Sequence, residues 1–268
     1  MASRITQPNA VEAELSIGTL AGKRPWRIGF FTVMPGVIFF LVLTGFTRTL
    51  YARPLFHPAP IPPYLYVHGI VLTSWFAWAW AQSLLISSGR IANHRRFGAV
   101  GACFAAAVFL AALMASLGVV SRQRFDLNAS ASIIGIGIKG ITVAQFDSGV
   151  VWGNIASALS FALFVVGAVL FRRRPQIHKR LMIFASISIL GPALARIARW
   201  PGFGGEQGPF ILVVSWSLIA AVAVYDLASR KRVEPCTVIA IVWLLIVRNG
   251  AAFISHTHLG LSLIYALR

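Results

Sequence analysis

Two short stretches hold the residues best placed to do chemistry. Arg90-Ile91-Ala92-Asn93-His94-Arg95-Arg96-Phe97 and Arg174-Pro175-Gln176-Ile177-His178-Lys179-Arg180-Leu181 both read R-x-x-x-H-[RK]-R-[FL], and 84 positions separate His94 from His178. A neutral imidazole ligates haem iron or a transition metal, and neighbouring arginines pair with haem propionates. Plainer work suits the same residues: holding lipid phosphates and satisfying helix ends. Proton relay and partner docking are further uses of such a cluster. A second polar group is made of His68, His256 and His258, with Arg196 and Arg248 inside apolar sequence. Seven carboxylates are present, Glu12, Glu14, Asp126, Asp147, Glu206, Asp226 and Glu234, and all fall at or beyond the ends of apolar runs. Arg196 and Arg248 therefore lack an obvious carboxylate partner within the apolar sequence. They snorkel, bond backbone carbonyls, or seat an anion such as a lipid phosphate, a haem propionate or an anionic substrate.

The elements that position these residues are apolar. The chain is 57% hydrophobic and 12% charged, against roughly half and a quarter in soluble domains. Seven runs, at 28–50, 64–88, 97–120, 148–171, 180–199, 210–229 and 236–257, are long enough to cross about 30 Å of hydrocarbon as helix. Helix is required because an isolated strand would leave backbone groups unpaired in lipid. The expected fold is an all-α membrane bundle of about seven helices. Gly191-Pro192 predicts a kink in the fifth. Residues 28–268 form one transmembrane domain, preceded by a loose polar tail over 1–27 that lacks the apolar stretch and cleavage site of a signal peptide. The connection 121–147 is long, and its Gly- and Ile-rich middle from Ile133 to Ile141 is a candidate re-entrant or surface segment.

The net charge of +17 falls in short clusters between the runs, which is how membrane topology is specified, and no basic face tracks a nucleic-acid backbone. With the N-terminus inside, fifteen Lys and Arg lie on the cytoplasmic side and eight on the other. The expected orientation is N-terminus cytoplasmic and C-terminus periplasmic, with both R-x-x-x-H copies at the cytoplasmic face. Each copy joins an even-numbered run to the next odd one. The second and third runs thus repeat as the fourth and fifth, a duplicated hairpin that brings His94 and His178 to similar depth.

His68-Gly69, Gln82 and His94-Arg95-Arg96-Phe97-Gly98, followed by His178-Lys179-Arg180-Leu181-Met182, Gly191-Pro192-Ala193 and Arg196, cover about residues 64–200. This pattern resembles a group of bacterial polytopic membrane proteins of unknown activity. More remotely, the histidine-bearing hairpins resemble cytochrome b561 and haem A synthase. That resemblance implies haem b held between histidines on neighbouring helices, electron transfer at a bacterial inner membrane, and quinone or another redox partner.

Several classes are excluded. No lysine lies in the seventh run to hold a carbonyl chromophore as a Schiff base. No G-x-S-x-G elbow or catalytic carboxylate pair is present. Cys103 and Cys236 form neither a disulfide framework nor a C-x-x-C site. Three functions remain. The first is a haem b electron-transfer protein, a membrane cytochrome b-type oxidoreductase, with His94/His178 as an inner pair and His68 with His256 or His258 as an outer one. The second is a carrier for an anionic small molecule seated on Arg196 and Arg248. The third is a ligand-free assembly or scaffold subunit.

Overall fold

The computed structural model describes residues 28–56, 62–122, 143–203 and 206–266. The tail over 1–27, most of the long connection and His57 lie outside the described residues. Helix α1 (Phe30–Phe46) runs on into a π-helical turn at Thr47–Tyr51 and a single turn at Arg53–Phe56. Helices α2 (Pro63–Ser87) and α3 (Ile91–Arg122) make one hairpin, and α4 (Val143–Leu170) and α5 (Pro175–Ser188) make another. A bend of 47° separates α5 from α6 (Gly191–Ala198). The chain ends in α7 (Gln207–Arg230), α8 (Pro235–His256) and α9 (His258–Ala266). Among the described residues six helices are long and apolar enough to cross a membrane, and the bent α5–α6 pair brings the number to seven if it is counted as one span. The protein is an all-α integral membrane helical bundle.

Local signals explain where these helices start and break. Pro63, Pro175 and Pro235 open α2, α5 and α8, where a missing N–H removes no helical bond and the fixed φ suits the first turn. Pro192, second in α6, cannot donate to the carbonyl of Ser188, and its ring crowds that carbonyl, so the helix bends there. Helices also begin before their apolar runs. Helix α3 starts at Ile91 rather than 97, α4 at Val143 rather than 148, and α5 at Pro175 rather than 180. Apolar sequence marks only the hydrocarbon-embedded part. The 32 residues of α3 extend for about 48 Å against about 30 Å of hydrocarbon. Both R-x-x-x-H stretches therefore form first helical turns rather than connecting corners.

The broken span is the centre of the bundle. Ile183, Phe184, Leu190, Leu194 and Ala198 are buried, with α1, α4, α7 and α8 packed around α5–α6. A Cβ on Gly45 of α1 would sit 2.5 Å from the carbonyl oxygen of Ala193, so the two backbones meet directly beside the bend. Trp75 of α2 is 1% exposed and donates from Nε1 to Ser186 Oγ of α5 at 3.3 Å. Outward faces stay apolar: Leu110 and Met114 on α3, Val213 and Val224 on α7, and Ile239, Ile246 and Phe253 on α8 are exposed. Surface of that extent suits acyl chains rather than water.

Candidate functional site

The two R-x-x-x-H stretches fold into equivalent turns. The backbone N–H of His94 donates to the carbonyl of Arg90 at 3.1 Å, and that of His178 donates to Arg174 at 3.1 Å. In each copy the arginine supplies the helix's first accepting carbonyl and the histidine closes the first turn. Entry to the first copy is a tight reversal through Gly89, whose φ of 76° suits glycine.

Each imidazole then reaches back to the preceding helix. His94 Nδ1 lies 3.3 Å from the carbonyl oxygen of Gln82, and His178 Nδ1 lies 2.8 Å from that of Ala168. A carbonyl only accepts, so both Nδ1 atoms act as donors, which leaves Nε2 as the ligating nitrogen of a neutral ring. Proteins orient metal-binding imidazoles in this way, fixing tautomer and ring angle through the nitrogen that does not ligate. The repeat brings the rings together: their centres are 6.2 Å apart and their planes cross at 83°. Every residue from Ile91 to Val100 is exposed except His94, which is half-buried. Helix α3 is thus loosely covered at this end, where His94 and the contact of Phe97 with Trp78, ring centres 6.2 Å apart, join it to α2.

Two residues beyond His178 lies a polar knot that charge counting does not anticipate. Arg180, which the sequence groups with the topology-setting cations, is fully buried against Asp226 of α7, itself fully buried. Arg180 Nε donates to Asp226 Oδ1 at 3.0 Å, and Nη2 donates to the same oxygen. Nη1 donates to the Gln176 carbonyl at 2.6 Å and to Gln176 Oε1 at 3.0 Å. Asp226 Oδ2 accepts from Thr237 Oγ1 at 2.7 Å and from the Glu234 backbone N–H at 3.2 Å. One carboxylate thereby ties α5, α7 and the start of α8. The sequence counts Arg180 only as one of the cytoplasmic cations; the structure buries it in an ion pair. A signal exists in the sequence: Asp226 is an acid near the inner end of its run, at the same end as the second motif. Asp147 also needs correcting. The apolar runs place it in a connection, but α4 starts at Val143 and Asp147 is buried within it.

The remaining candidates stand elsewhere. His68 Nδ1 lies 2.9 Å from the carbonyl oxygen of Ala111, which pins α2 to α3 nearer the opposite end of that hairpin. His256 and His258 are exposed, on either side of the α8–α9 junction. Helix α2 packs on α1 and α3, whereas α8 packs chiefly on α4; among the described residues no ring contact joins His68 to His256 or His258. Arg196 lies with its guanidinium 4.5 Å from the centre of the Phe46 ring, and its Nη1 donates to the Pro192 carbonyl at 2.8 Å. Arg248 and Asn249 are exposed on α8.

His94 and His178 are the candidate donors at the inner end. Arg95, Arg96 and Lys179 flank the pair in sequence. No group of three or more His, Cys, Asp or Glu side chains suited to a metal ion occurs among the described residues. The chain matches no protein-family model, no curated protein and no solved structure.

Proposed function

We propose that this integral membrane protein is a haem b-binding electron carrier, with His94 and His178 as the residues that would hold the haem. The observation that carries the proposal is the paired geometry: two imidazoles from repeated turns, 6.2 Å apart, each with Nδ1 directed at a backbone carbonyl. Haem b would supply reversible one-electron transfer at this site. His94 and His178 would hold the iron, the Gln82 and Ala168 carbonyls would fix the ring tautomers, and Arg95 and Arg96 would meet propionates. The distribution of Lys and Arg supports a bacterial inner-membrane setting with the N-terminus and the histidine pair on the cytoplasmic side. Quinone or a redox protein would be the exchange partner.

Purified His94→Ala, His178→Ala and His68→Ala variants test the assignment through haem content per protein. The first two lose haem, whereas His68→Ala keeps it. Equal haem in all three and in the parent protein overturns the assignment of His94 and His178.

The same bonds favour a second reading, in which the histidines only clamp helices. His68 and His94 tie α2 to α3 and His178 ties α4 to α5, as a ligand-free scaffold subunit requires. On that reading all three variants are less stable and none changes cofactor content. The carrier reading has weaker support, since Arg248 is exposed rather than turned into the bundle.

A further inference from the structure

We infer that a cavity of about 580 Å³ between the first turn of α5, the last turn of α7 and the loop after it is a binding site for a phosphate-bearing anion. It opens at the same end of the bundle as the histidine pair but does not depend on it. Gln176, Lys179 and Arg180 contribute from α5, Tyr225 and Arg230 from α7, and Arg232 from the loop.

The charge count gives the ligand its sign. Arg180 forms the floor and is neutralised by Asp226; Arg230 pairs with Glu234 at 2.6 Å. Lys179 and Arg232 form no salt bridge among the described residues, so the cavity keeps two uncompensated positive charges. Lys179 is held in place: its Nζ lies 4.0 Å from the centre of the Phe31 ring. That ring belongs to an aromatic wall in which Phe30 stacks on Tyr225 at 4.5 Å. An open basic pocket between helix ends, with aromatic carbon along one side, matches a phosphate head group whose glycerol and chains run along the bundle. Lys231 adopts the left-handed conformation, φ 59°, and its N–H caps α7 on the Leu227 carbonyl at 3.0 Å. That reversal sets the path of the loop that carries Arg232 to the cavity.

The ligand is thus a phosphate group, carried by an anionic phospholipid or free in solution. The test uses the full chain in mild detergent after delipidation, with native mass spectrometry and titration calorimetry. The two probes are short-chain phosphatidylglycerol and inorganic phosphate. The parent protein is expected to bind the lipid, and Lys179→Gln/Arg232→Gln to bind it at least tenfold more weakly, while Arg199→Gln, an exposed arginine at the other end of the bundle, binds as the parent does. Both variants melt as the parent does in detergent alone, because Lys179 and Arg232 lie outside the Arg180–Asp226 knot. Phosphate that binds and displaces the lipid identifies the phosphate group as sufficient. Lipid binding without phosphate binding identifies a lipid site to which glycerol and chains contribute. Failure of the parent to bind either probe, or equal binding by the double variant, overturns the inference.

Discussion

Arg180 and Asp226, 46 positions apart, form a fully buried ion pair in which the carboxylate also accepts from Thr237 and from the backbone of Glu234. Removing one partner strands a buried charge, whereas replacing both with apolar side chains removes the desolvation penalty as well. Asp226→Leu and Arg180→Met are each expected to lower stability by about 3–5 kcal/mol. The double variant should recover much of that loss. Melting of the four proteins in one detergent gives the coupling energy, and additive losses would show that the two side chains do not act as a pair.

The bend between α5 and α6 depends on close backbone approach from α1. Gly45→Ala drives a methyl into the Ala193 carbonyl, which no side-chain rotation relieves, and overpacking of this kind costs about 1–3 kcal/mol. A Cβ added at Gly153 of α4 would meet nothing within 4 Å, and alanine is favoured over glycine inside a helix by up to about 1 kcal/mol. Gly153→Ala should therefore hold or raise the melting temperature while Gly45→Ala lowers it. The opposite order would show that α1 does not pack against the bend as described.

Orientation is testable on a background without Cys103 and Cys236. Arg173 lies in the exposed turn between α4 and α5, and Arg199 is exposed at the far end of α6. With the histidine pair on the cytoplasmic side, Arg173→Cys should react with a membrane-impermeant maleimide only in inverted vesicles, and Arg199→Cys only in spheroplasts. The reverse pattern would place the N-terminus outside.

Much of the bundle was legible in the sequence because bilayer thickness and backbone hydrogen bonding leave few solutions. Apolar run length locates the spans, and Gly191-Pro192 locates the bend. Duplication of R-x-x-x-H indicates two like hairpins, which the structure shows as two turns with the same His-to-Arg backbone bond. Less legible was anything set by which side of a helix faces the core. Arg180 and Lys179 are adjacent and equally basic, yet Arg180 is buried against Asp226 and Lys179 borders an open cavity. Charge counting cannot separate them, because the difference is one residue of helical rotation. Arg248 shows the converse: an arginine inside apolar sequence, offered as an anion seat, is exposed on α8, since burial of that helix follows Thr237, Ala240 and Ser255.

Histidine ligation is most directly tested by a dithionite-reduced minus oxidised absorption spectrum of the full-length protein, purified in mild detergent from cells supplied with ample haem precursor. The expected result is a sharp Soret and α band of a b-type cytochrome that His94→Ala or His178→Ala abolishes. A flat spectrum from folded, haem-supplied protein would contradict the haem assignment and leave the histidines as clamps between helices.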